Sequence, residues 1–163
     1  MKELLKGLNI VPISKARNLV LFDTCFIVAN LDNKHEFKEL QKIENAATTS
    51  FNLLELLHIH HVKHNVKKIL REFLKTSNLT VVDINVRPGE WDREREFVKS
   101  VDPRLLEKIK DASDAILIAT AIKTHSDVAT KDKHHLFTTK LRNFITNYGI
   151  DVYKETKDIT NIK

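Results

Sequence analysis

The sequence predicts an α/β sandwich in which helices cover a mostly parallel sheet. Two observations carry that expectation. Short runs of apolar and β-branched residues alternate with longer stretches of helical periodicity, and strands separated by helices pair parallel. The chain has 163 residues, 42% of them apolar, which suits one domain with a core of its own. Neither an internal repeat nor a linker rich in Gly, Ser or Pro interrupts it.

The elements follow in order. The start, "MKELLKGLNIVPISKARN", has no long apolar stretch or small-residue cleavage site of the signal-peptide kind. No apolar run approaches the roughly 18 residues of a membrane span, so a cytoplasmic location without a membrane partner is expected. "NLVLF" (18–22) reads as a buried strand. Residues 33–46 have helical character, 47–50 are strand- or cap-like, and 51–76 form one long amphipathic helix or two in line. "LTVVDINV" (79–86) is β-branched and reads as a strand. "RPGEW" breaks the pattern, and Trp91 within it reads as a packing anchor, with stacking on RNA as the weaker reading. "DREREFVKSV" resumes a helix, and a further helix opens at "DPRLLEKIK" with Asp102 as N-cap and Pro103 in first position. A helix over 111–125, a short strand over 126–130, a helix over 136–149 stopped by Gly149, and a last strand over 150–155 complete the alternation.

Composition removes several function classes. The single cysteine, Cys25, excludes an internal disulfide and any zinc site built on Cys-x-x-Cys. The three glycines, Gly7, Gly89 and Gly149, are too far apart for a P-loop or a dinucleotide fingerprint. The formal net charge of +5 fits an anionic partner such as nucleic acid, and fits an ordinary lysine-rich surface equally well.

Four acids stand in awkward places. Asp23 ends the first strand, and Asp132 follows the strand at 126–130 by two residues. In open parallel sheets ligand sites gather beyond the carboxyl ends of strands, although a lone aspartate there is more often a turn former. At about 100° per residue, Phe51, Val62, Val66, Ile69 and Phe73 share one stripe and Glu55 falls near its centre. A carboxylate there must be solvated in a cleft, paired, or bound to a metal. Asp114 heads the apolar stripe Leu117, Ile118, Ala121, Ile122, where it also complements the helix dipole. Asp111 reads as the N-cap of the same helix, with a catalytic role as the minority reading. Four carboxylates around one cleft remain ionised together only if cations neutralise them. Oxygen ligands suit the hard ions Mg²⁺ or Mn²⁺, and such a centre serves phosphate chemistry.

In this order the residues resemble the PIN-domain family of nucleases. "DTCFIVANL" after the first strand looks like that family's opening Asp-Thr-Asn motif, and "TTSFNLLELLH" like its Ser/Thr-x-x-x-x-Glu helix. "DASDAILIATAI" is similar to its Asp-Ala-x-Ile helix, and "DVATKDKHH" to its hydrophobic-x-Thr-x-Asp ending. The four acids are 32, 59 and 18 residues apart in turn. The resemblance covers about 18–155, leaving 1–17 as an N-terminal extension and 156–163 as a tail. It implies a three-layer α/β/α sandwich with strand order 3-2-1-4-5. It also implies divalent-metal-dependent cleavage of RNA, a homodimer and, for many small members, an antitoxin partner. Carried over, Asp23, Glu55, Asp114 and Asp132 are the catalytic and metal-binding acids. Thr130 orients the last acid or a bound water, and Thr24 flanks the first. Position 25 departs from the pattern, since Cys25 stands where the family commonly has asparagine; this removes a hydrogen-bonding side chain near the metal. Cys25 itself reads as a small buried residue.

Other features carry less. His60 and His64, at i and i+4 in "HIHHVKH", make an incomplete zinc site on a solvated face. Lys131, Lys133 and His134 flank Asp132 and are candidate contacts to RNA phosphate, or a solvated loop. Against the ribonuclease reading stands a catalytically weak or inactive module of the same fold that binds RNA or protein. A haloacid-dehalogenase phosphatase ranks below both, because it expects an aspartate where Cys25 stands.

Overall fold

The protein is described by a computed structural model covering residues 7–31, 33–59, 64–131 and 138–160. Its sheet has six strands: β1 (Asn9–Pro12), β2 (Val20–Phe22), β3 (Ala46–Thr49), β4 (Thr80–Asp83), β5 (Asp127–Ala129) and β6 (Val152–Tyr153). They lie in the order β1-β4-β3-β2-β5-β6, and every pairing is parallel. From β2 to β6 this is the expected 3-2-1-4-5 order. Residues 9–12 of the N-terminal extension add one strand outside it, pairing Asn9 with Thr80 through Pro12 with Asp83. Pro12 sits at this edge, where its missing N–H disturbs the ladder least.

The helices are α1 (Thr24–Leu31), α2 (Lys34–Gln41), α3 (Ser50–Ile59), α4 (His64–Thr76), α5 (Trp91–Val101), α6 (Leu105–Lys108), α7 (Ala112–Thr124), α8 (Thr139–Thr146) and α9 (Thr156–Thr160). Strand side chains alternate between two cores, as a pleated strand requires. Leu21, Ala47, Val82 and Val128 face one core, which α5, α6, α7 and α8 close with residues such as Val98, Leu105, Ile116 and Phe144. Val20, Phe22, Ala46, Val81 and Ala129 face the other, closed by α1, α2, α4 and α9 through Phe26, Leu40, Phe73 and Ile159. Both faces of the central strands are buried, which is why they read as short continuous apolar runs.

Helix α1 covers a segment to which the sequence reading assigns no element: "CFIVANL" is apolar on nearly all sides because its helix is largely buried, so no helical stripe shows. Three local expectations change. The 51–76 segment is described as α3 and α4, and its single stripe dissolves. Phe51 packs in the Leu21 core and Phe73 in the Val20 core, on opposite sides of the sheet. Asp102 does not start a full helix. It is the C-cap of α5, and its Oδ1 accepts from the Arg104 N–H at 2.9 Å, leaving α6 as one short turn. Trp91 is 71% exposed and anchors no core. The N-cap expectation for Asp111 holds: its carboxylate accepts from the N–H groups of Ser113 and Asp114. Among the described residues no helix is long and apolar enough to cross a membrane.

Candidate active site

The chain leaves β2 toward one edge of the sheet and β5 toward the other, so the crevice between these paired strands is a topological switch point. Ligands collect at such a crevice, outside the carboxyl ends of the strands. Asp23 follows the last residue of β2 and Thr130 the last residue of β5. Helix α3 starts directly after β3 and crosses above this end. It packs against α1 on one side and α7 on the other, with Phe51 reaching one core and Leu53 and Leu56 the other. That straddling course puts Glu55 between the layers.

Asp23 is pinned before its side chain is considered. Its N–H donates to the Ala129 carbonyl at 3.0 Å, and its carbonyl accepts the Ile27 N–H at 3.1 Å, opening α1. The carboxylate is buried. Oδ2 accepts from the Thr130 hydroxyl at 2.8 Å and from the Cys25 thiol at 2.8 Å. The Thr130 N–H is in turn anchored on the Tyr153 carbonyl at 2.9 Å. Cys25 therefore keeps a hydrogen bond to the first acid where the loss of one was expected. Burial, followed by the Asp23 charge and the bond to Asp23, pushes its thiol up to about 12. At neutral pH it is a protonated donor, and thiolate chemistry is closed to it.

Glu55 is half-buried in a ring of neutral donors. Oε2 accepts from the Ser113 hydroxyl at 2.7 Å, the Thr24 hydroxyl at 3.2 Å and the Asn52 amide at 3.3 Å. Asn52 is held in turn, because its Oδ1 accepts from the Thr49 hydroxyl at 2.6 Å. Its N–H also donates to that hydroxyl at 3.0 Å. Burial raises the Glu55 carboxyl above its usual range; Ser113 and Thr24 pull it down, and the charges of Asp23 and Asp111 push it up again. Among the described residues no lysine, arginine or histidine is ion-paired with Glu55.

Asp114 is buried in the first turn of α7, one residue past the Ser113 that binds Glu55. The structure thus brings Asp23, Glu55 and the start of α7 to one sheet end, joined through Thr24, Asn52 and Ser113. Asp132, Lys133 and His134 lie outside the described residues, as do His60 and His61. Lys131 is bonded to Glu155 at 2.7 Å and lies over the Phe26 ring. Among the described residues no group of three or more His, Cys, Asp or Glu side chains is placed to hold a metal ion. The donors that are present fit a hard divalent cation nonetheless. They are carboxylate and hydroxyl oxygens, Asp23 and Glu55 destabilise each other's charge, and Mg²⁺ is usually held by one or two carboxylates plus waters and substrate phosphate.

Sequence reasoning passed over Asn52 and Ser113. A signal existed for each: Asn52 is three residues before Glu55 on one helix, a spacing that makes neighbours, and Ser113 lies inside the "DASD" quoted for Asp114.

No curated protein matches the chain in sequence comparison. Comparison with protein-family models matches residues 20–139 to the PIN domain, a span that runs from β2 into α8 and includes every acid of the site. With a parallel sheet of the expected order, a carboxylate at its switch point and this match over most of its length, the chain belongs to the PIN-domain family.

Proposed function

We propose that this protein is a divalent-metal-dependent endoribonuclease that hydrolyses RNA phosphodiester bonds, with Mg²⁺ or Mn²⁺ as cofactor. One observation carries the reading. Asp23 and Glu55, 32 positions apart, meet at the switch-point edge, and among the described residues only neutral donors are bonded to Glu55. A carboxylate surrounded by hydroxyls, an amide and a second acid is stable as an anion when a cation shares the site. Asp23, Glu55 and Asp114, with Asp132, are the residues that would hold it. When bound, the ion supplies charge neutralisation for the phosphate and a water of lowered pKa. Thr130 and Cys25 hold the Asp23 carboxylate in one rotamer. Ser113, Thr24 and Asn52 do the same for Glu55, as a preorganised site requires. RNA is the proposed substrate, and a homodimer and an antitoxin protein are the proposed partners, with a toxin role in a toxin–antitoxin pair.

The test is cleavage of a labelled RNA by the pure protein with Mg²⁺ or Mn²⁺. Asp23→Asn removes a charge at constant shape and is expected to lower the rate by about 100-fold or more, with the fold intact by circular dichroism. EDTA abolishes the native activity. Full activity in the variant, or in EDTA, refutes the assignment.

A second reading is the same fold as an inactive RNA- or protein-binding module. It is favoured by cysteine at position 25, where the family commonly has asparagine. Pure protein that binds RNA yet leaves it intact at every divalent-ion concentration would select it.

A further inference from the structure

On the far side of β3 from Asp23, a cavity of about 770 Å³ opens between α3 and the chain that follows β4. Its size is that of a small-molecule site. Leu53, Leu54 and Leu57 of α3 form one apolar wall, with Ile84, Val86 and Pro88 opposite. Arg87, Arg93, Asp83 and Asn85 also line it. Glu90 also lines it, but its carboxylate is engaged by the Arg87 N–H at 3.1 Å and by Arg93 at 3.5 Å. Among the described residues no carboxylate is ion-paired with Arg87.

The second observation is Trp91. The one tryptophan of the chain lies between two lining residues, Glu90 and Arg93, and leaves 71% of its surface in solvent. It is the first residue of α5, and the turn before that helix is held firmly. Glu94 is buried, and its Oε1 accepts the Gly89 N–H at 2.8 Å. An exposed indole at the first position of α5, next in sequence to the lining residue Glu90 of a partly apolar cleft that two arginines also line, matches one chemistry. A flat heterocycle stacks on the aromatic ring or inserts between apolar walls, its edge meets Asn85 and Asp83, and its phosphate meets arginine.

We propose that this cavity, with Trp91 beside it, is a subsite for an unstacked nucleotide of single-stranded RNA. It lies at the same sheet edge as Asp23 and Glu55, across α3, so a strand seated there continues toward the acids. The identity of the ligand rests on the ribonuclease reading; the existence of the subsite is tested without turnover.

Because Trp91 is the sole tryptophan, its emission reports on this place alone. In EDTA, an eight-residue oligouridylate is expected to quench that emission saturably, and an RNA duplex is expected to quench it far less. Anisotropy of the same labelled oligomer is expected to show roughly tenfold weaker binding for Trp91→Ala and for Arg87→Ala, and near-native binding for Trp91→Phe. Both positions are exposed, so the variants keep the fold. Unchanged emission, equal quenching by the duplex, or native affinity in Trp91→Ala and Arg87→Ala overturns the subsite. If Mg²⁺- or Mn²⁺-dependent cleavage is found and the KM of Trp91→Ala is native, the subsite fails and the ribonuclease stands. If quenching and its loss are found without cleavage, the ribonuclease reading fails and the subsite stands.

Discussion

Glu55 carries a proton more readily than an ordinary glutamate, chiefly because it is buried and then because Asp23 and Asp111 face it. A carboxyl whose folded pKa lies above its unfolded value, about 4.3, favours the fold most fully below that value. The contribution is lost as pH rises through the folded pKa. In metal-free protein Glu55→Gln is therefore expected to be more thermostable than the native chain at pH 7–8, with the difference vanishing below about pH 4. The amide oxygen still accepts from Ser113, Thr24 and Asn52, so no acceptor is lost. Thermal melts in EDTA across that range decide it; a lower melting temperature for Glu55→Gln at pH 8 would sink the account. The same melts with Mn²⁺ are expected to reverse the order, since an ion bound to the carboxylate stabilises only the native chain.

At the scale of elements, helix α7 shows how a cap serves a site. Asp111 accepts from Ser113 and Asp114 at 2.9 and 3.2 Å, which fixes the first turn that presents both residues to the sheet edge. Asp111→Ala removes that cap and is expected to cost about 1 kcal/mol in urea denaturation. If the ribonuclease reading holds, cleavage falls as well. An unchanged midpoint would mean that the turn is held by packing alone. The neighbouring layer is tied differently. Asp102 accepts two bonds from the Arg104 side chain through Oδ2, at 3.1 and 2.6 Å, and a third from the Tyr148 hydroxyl. This joins the end of α5 to the end of α8. The Arg104 bond, and after it Tyr148, holds the Asp102 carboxyl well below the usual carboxylate range. Its contribution is present above the unfolded value of about 3.9 and is lost as pH falls toward the folded one. Asp102→Asn is expected to cost roughly 1–3 kcal/mol at pH 7 and progressively less below pH 4, read from urea midpoints at both pH values. A cost that stays constant with pH would assign the effect to shape and not to charge.

At the scale of the whole molecule, the N-terminal strand is the least protected part of the sheet. β1 pairs on one side with β4, and Ile10 is 47% exposed. Removing residues 1–12 uncovers the β4 ladder from Thr80 to Asp83, and an uncovered buried strand is a template for association. The shortened chain is expected to form larger species in light scattering at concentrations where the full chain does not. Identical scattering would mean that the strand adds nothing to protection.

The alternation of strands and helices and the acids at strand ends were legible because each rests on local chemistry. β-branched runs make strands, aspartate beside a first turn caps it, and a carboxylate amid leucines demands a partner. The order of the sheet came from resemblance, and the pairings bear it out. β1 was not legible: four residues with no buried face carry no pattern, and their pairing is decided by the open edge of β4. Helix α1 was hidden for the opposite reason, being apolar on nearly every side. The stripe proposed for Glu55 treated 51–76 as one rod, whereas Phe51 and Phe73 serve different cores. Residue types and their periods determined the fold class and named Asp23, Glu55, Asp111 and Asp114, because side-chain chemistry is written in the chain itself. That Thr130 and Cys25 grip Asp23, that Ser113 and Asn52 hold Glu55, and that Trp91 stands in solvent beside a cleft, only the tertiary structure decided. Thr130 with Asp23 and Ser113 with Glu55 join residues distant along the chain, and their geometry exists only once the parallel strands fix which ends meet; Cys25 and Asn52 are near in sequence, and the fold decides only that they turn toward the same acids.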